Sequence, residues 1–224
     1  MNFKNFATAL AALGAEEKRE ERIIGGHEST GGRYSYAVSL ADRLGSFCGG
    51  SLIAPDIVLT AAHCAGGDYF AIVGRHDLDT AEGDEIQIKK EIIHPWYEPF
   101  TTNNDFMVLV LVSSTLYLGD FHFMFDIILA LITFLLQERP TSAKVSMVQL
   151  NDDKSVPEVG GECVVIGWGD TTQDDYTVEI SSVLREVSVN VLSNKVCAKS
   201  EGEHNGWEDS YRGLITRNML CAKG

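Results

Sequence analysis

The sequence predicts an all-β fold, and three observations predict it. Short apolar runs alternate with Gly- and Asp-rich turns along most of the chain, the pattern of a sandwich or barrel. With 21 Gly against 5 Pro, turns are plentiful and no stretch reads as a proline-rich linker. At 224 residues, 45% hydrophobic and 22% charged, the chain has an ordinary globular balance and can bury a good-sized core.

The elements follow in order. Lys4, the apolar run at 6–13 (FATALAAL) and the small residues Gly14 and Ala15 resemble a brief secretory signal, expected over residues 1–15. Residues 16–22 (EEKREER) are a charge run that buries nothing and reads as an exposed spacer. From Ile23 the strand texture begins: YAVSL at 36–40, SLIAPDIVLTAAH at 51–63, YFAIVG at 69–74 and IQIKKEIIH at 86–94. It returns in CVVIGWG at 163–169 and VLREVSVNVL at 183–192. No internal repeat or low-complexity tract is present. One segment, 121–136 (FHFMFDIILALITFLL), breaks the texture. Its uninterrupted part, 127–136, falls well short of the roughly 20 residues of a membrane helix. His122 and Asp126 would also be costly in lipid, so a membrane partner is not expected.

A formal net charge of −14 argues against a nucleic-acid partner, which requires a basic face, and favours solubility instead. Five cysteines is an odd count: in a secreted chain it implies a free thiol, an intermolecular bond or a missing partner. No Cys-x-x-Cys zinc spacing occurs.

Four short motifs carry chemistry. Residues 60–64 read Thr-Ala-Ala-His-Cys, preceded by CGGSLI at 48–53. Ile-Ile-Gly-Gly at 23–26 directly follows Arg22, Asp105 opens the apolar run DFMVLVLV, and Gly-Trp-Gly stands at 167–169. Each is weak alone. In this order and spacing they resemble the chymotrypsin/trypsin family of serine proteases, over about residues 23–120 and 143–224. The resemblance implies two six-stranded antiparallel barrels, the second incomplete, and a secreted, extracellular endopeptidase acting on protein or peptide substrates without a cofactor.

The resemblance also implies roles. His63 matches the general base, and an imidazole suits that task because it accepts and returns a proton near neutral pH. Asp105 matches the carboxylate that fixes the tautomer of that histidine and stabilises the imidazolium. Arg22–Ile23 matches the bond whose cleavage activates a zymogen, so an activating trypsin-like protease is an implied partner and residues 16–22 are an implied propeptide. Cys48 with Cys64, and Cys197 with Cys221, match family disulfides, each removing about 2–4 kcal/mol of loop entropy from the unfolded chain. Cys163 matches a cysteine whose family partner has no counterpart among the 224 residues.

Three departures temper the resemblance. Met219-Leu220-Cys221-Ala222 is the block that precedes the nucleophilic serine of the family, yet no Gly-Asp-Ser-Gly and no Gly-x-Ser-x-Gly occurs in the sequence. The chain as written is therefore expected to lack the nucleophile, its oxyanion hole and the specificity pocket, and to be inactive. An incomplete sequence is the expected reason; the alternative is a non-catalytic homologue that acts as a binding module. Second, residues 121–142 have no counterpart in the family and are expected to be translated intervening sequence; the alternative is a genuine hydrophobic hairpin or membrane-contacting loop. Third, the loop 74–85 (GRHDLDTAEGDE) offers Asp77, Glu82 and Glu85 as calcium ligands. Arg75 stands where calcium-binding members carry a glutamate, and its guanidinium can pair with Glu85 instead, so no metal is expected.

Overall fold

The computed structural model describes residues 25–112, 145–153, 155–171, 179–204 and 207–224. The expected signal (1–15), the spacer (16–22), the Arg22–Ile23 bond and the apolar insertion (121–142) lie outside the described residues.

The first half is a closed barrel. Strands β2 (Ala37–Asp42), β3 (Gly45–Ala54), β4 (Ile57–Thr60), β5 (Phe70–Val73), β6 (Asp84–Ile93) and β7 (Met107–Leu111) close in the order β2-β3-β4-β7-β6-β5. All six pairings are antiparallel. In β7 the period-2 alternation is plain. Met107, Leu109 and Leu111 are buried inward, while Val108 and Val110 are half-buried on the outer face. The inward residues pack with Val38, Leu40, Leu52, Val58 and Val73 into one core. Gly50 shows why the CGGSLI motif needs its glycine. A Cβ there would meet Val58 Cγ1 at 2.7 Å and the Leu59 carbonyl at 3.1 Å, so β3 and β4 approach closely only without a side chain.

The second half is a four-stranded sheet. Strand β9 (Arg185–Leu192) is its centre. It pairs with β8 (Glu162–Gly167) on one edge; the other edge is shared by β12 (Cys221–Lys223) and β1 (His27–Glu28). A hairpin, β10 (Glu201–His204) with β11 (Trp207–Ser210), lies apart. Among the described residues the second half does not close into a barrel. A single turn of helix, α1 (Asn194–Cys197), starts on Ser193, whose hydroxyl accepts from the Val196 amide. The disulfide Cys197–Cys221 ties this turn to β12.

The two halves meet on a small cluster of Ala37, Trp168 and Leu184, flanked by Tyr34, Leu78 and Ile166. The indole N–H of Trp168 donates to the His76 carbonyl at 3.0 Å, which gives the Gly-Trp-Gly motif a structural role at the junction. Strand β1 precedes the first barrel in sequence, yet it pairs with β9 in the second half. Arg185 donates to the Gly26 carbonyl there, and Glu186 pairs with His27 and Arg33. No helix among the described residues is long and apolar enough to cross a membrane.

Candidate active site

His63 sits in a one-turn 3-10 helix, Ala62–Cys64, directly after β4. The flanking alanines explain the motif: Ala61 and Ala62 are buried, and larger side chains would overpack the turn against the barrel. Cys64 is bonded to Cys48 on β3, with the two Cα atoms 6.2 Å apart. Asp105 lies just before β7, after a turn in which Asn104 adopts a positive φ of 56°, tolerable for asparagine.

The two residues meet through both oxygens of the carboxylate. The His63 backbone N–H donates to Asp105 Oδ1 at 2.9 Å, and ring Nδ1 lies 2.7 Å from Oδ2. A carboxylate only accepts, so Nδ1 carries a proton, and in the neutral imidazole the other ring nitrogen, Nε2, keeps its lone pair. The His63 side chain is 34% exposed and Asp105 16%, so the imidazole faces outward while its anchor is covered. His63 lines a cavity of about 410 Å³ whose wall includes the Cys48–Cys64 bridge, Phe47, Gly66, Tyr97, Pro99 and Thr102.

Two further groups hold this region, and neither was legible in the sequence. Glu91 on β6 accepts from the Gly66 amide at 3.0 Å and from the Tyr69 hydroxyl at 2.6 Å. Burial, then the hydrogen bond to Glu91, pushes the Tyr69 phenol well above its ordinary range. The second group is a clasp of amides. Thr216 Oγ1 donates to Asn103 Oδ1 at 2.9 Å, and Asn218 Nδ2 donates to Asn104 Oδ1 at 3.2 Å. Asn194 Nδ2 donates to the Thr216 and Met219 carbonyls. The loop that presents Asp105 is thereby fastened to the second half. Neither group has a periodicity or motif signal, because each joins residues distant in sequence.

The sequence-predicted residues fall as follows. His63 and Asp105 come together. Cys48–Cys64 and Cys197–Cys221 are disulfides, and Cys163 is a free, half-buried thiol on β8. In the loop 74–85, Arg75 Nε donates to the Glu82 carbonyl at 2.5 Å and its terminal nitrogen pairs with Glu85 at 3.2 Å. Asp77 instead accepts from the Asp79 amide within the turn. Cys48, His63 and Cys64 are close enough to suggest a metal centre. Both sulfurs are consumed in the disulfide and His63 Nδ1 faces Asp105, so that trio offers no thiolate and cannot serve as one.

The family model described as Trypsin matches residues 23–224. The chain is similar to human "Serine protease 1", 31% identical over 215 residues covering 94% of this chain and 70% of that protein. It is similar to rat "Trypsin V-A", 33% identical over 221 residues covering 96% of this chain and 73% of that protein. Among solved structures it resembles neuropsin, described as a serine protease expressed in the limbic system of mouse brain. The TM-score is 0.69 at 27% identity, covering 90% of this chain and 75% of that one.

Proposed function

Because the chain belongs to the trypsin family, a family of serine endopeptidases, we propose that His63 is its general base and Asp105 the carboxylate that orients and charges-balances it. The observation that carries this reading is the two-point grip of Asp105 on His63 at the wall of an open cavity. With Nδ1–H held by Oδ2, Nε2 is the atom that takes a proton from a serine hydroxyl during attack and returns it to the leaving amine. As the imidazolium forms, the Asp105 carboxylate stabilises it without taking the proton. The substrate is a protein or peptide.

The finer points of the proposal rest on sequence. The product is secreted, and cleavage at Arg22–Ile23 by a trypsin-like enzyme converts the zymogen. The 224 residues contain no Gly-Asp-Ser-Gly, so on their own they do not complete the triad. The purified 224-residue chain, after limited trypsin treatment, is therefore expected to leave mixed peptide substrates intact. The same chain joined to a segment carrying Gly-Asp-Ser-Gly-Gly is expected to hydrolyse them, with activity lost in His63→Ala. Inhibitor-sensitive turnover by the 224 residues alone would refute the inactivity. A completed chain that binds but never cleaves would favour the non-catalytic homologue.

A further inference from the structure

We propose that Glu91 is a positioning residue for His63, a role that rests on the reading of His63 and Asp105 above. The stretch that leads from His63 to β5 contains Gly66 and Gly67, with φ of +95° and +97°. Glycine adopts such values freely, so this stretch does not define its own path. The Glu91 carboxylate supplies the definition: one oxygen, Oε1, receives both the Gly66 N–H and the Tyr69 O–H. These donors bracket the flexible pair, and the Tyr69 ring is in turn braced edge-on by Phe47 at 5.3 Å.

The other end of the connection is the Asp105 side of the site. Glu91 lies on β6 and is paired with Leu109 on β7, the strand that follows Asp105. Three residues further on, the His94 amide donates to the Phe106 carbonyl at 3.1 Å, fixing the residue next to Asp105. One side chain therefore joins the loop after His63 to the strand pair that presents Asp105. It sets the separation across which the His63 amide and ring reach the two carboxylate oxygens. Glu91 touches no reacting atom; it meets the cavity wall only at the Gly66 amide, in the loop that continues from His63, so it acts on the site by positioning.

Solution NMR of the full 224-residue chain tests this without needing catalysis, so its failure is separable from any failure of the peptidase reading. Two signals report the His63–Asp105 contact: the low-field Nδ1–H proton and the slow hydrogen exchange of the His63 amide. Leu109, in the barrel ladder, serves as the internal reference for global stability. In Glu91→Ala the Nδ1–H signal is expected to disappear and the His63 amide to exchange faster, with Leu109 unchanged. Glu91→Gln, whose carbonyl still accepts both donors, is expected to restore both signals. Should Glu91→Ala fail to fold, Glu91→Asp retracts the carboxylate by one methylene and is expected to give the same selective loss. Intact His63 signals in the folded Ala or Asp variant would overturn the proposal, as would protection lost equally at His63 and Leu109.

Discussion

Removing the Cys48–Cys64 bridge tests how the barrel supports the site. The double variant Cys48→Ala/Cys64→Ala opens a loop with a sequence separation of 16. In the chain-entropy treatment a loop of that size corresponds to about 3 kcal/mol at 25 °C. Both sulfurs are buried, so truncating them removes further packing and brings the expected loss to about 3–4 kcal/mol. For a domain of this size each kcal/mol is worth about 2–4 °C, so the melting temperature should fall by roughly 6–16 °C in a calorimetric scan. The matching variant Cys197→Ala/Cys221→Ala opens a separation of 24 and should cost a similar amount. The two differ in location. Only the first bridge ends on the turn that carries His63, so only its removal should weaken the low-field His63 proton signal. A drop under about 2 °C for the first variant would refute the loop-entropy argument. Equal loss of the His63 signal in both variants would refute the assignment of that bridge to the site.

Two further outcomes are expected. The Arg75 guanidinium, only 9% exposed, satisfies the Glu82 carbonyl and Glu85. Arg75→Ala should therefore cost about 0.5–1.5 kcal/mol, while chelator should leave the melting temperature of the native chain unchanged; a chelator-induced fall would show that a metal holds this loop. The Tyr69 phenol titrates above its unfolded value, so its contribution to stability is complete below about pH 10 and is lost as pH rises through the folded value. Denaturant midpoints measured from pH 8 to 11 should fall more steeply for the native chain than for Tyr69→Phe, and parallel slopes would contradict the assigned shift.

Much of the first barrel was legible because its signals are local. The runs at 36–40, 69–74 and 86–94 each carry their own apolar pattern and become β2, β5 and β6 with small shifts at the ends, whereas the run at 51–63 divides into the end of β3, all of β4 and the turn that carries His63, and the first six residues of β3 lie outside it. His63 and Asp105 were legible through flanking motifs that are themselves structural: buried alanines before the histidine, an alternating strand after the aspartate. Glu91 was not. Within QIKKEII it reads as one more charge on a strand face, and its partners lie 25 and 22 residues away. The asparagine clasp was hidden for the same reason, since its hydrogen bonds span more than 110 residues. The pairing of β1 with β9 had no sequence signal either, because a two-residue strand is too short to show a period.

That pairing bears on the order in which the molecule assembles. The Ser29 hydroxyl reaches the Leu184 carbonyl across a sequence separation of 155. Contacts of such high order are entropically slow to form, whereas the barrel pairings join residues much closer in sequence, the most distant being β4 with β7, where Ile57 faces Val110. During synthesis at about 5–20 residues per second, the last barrel strand emerges roughly 4–15 s before β9 begins. For that interval the head of the nascent chain has a finished barrel behind it and no surface to rest on. Docking of residues 26–29 is thus a late event in maturation, and until it occurs those residues remain open to whatever meets them first.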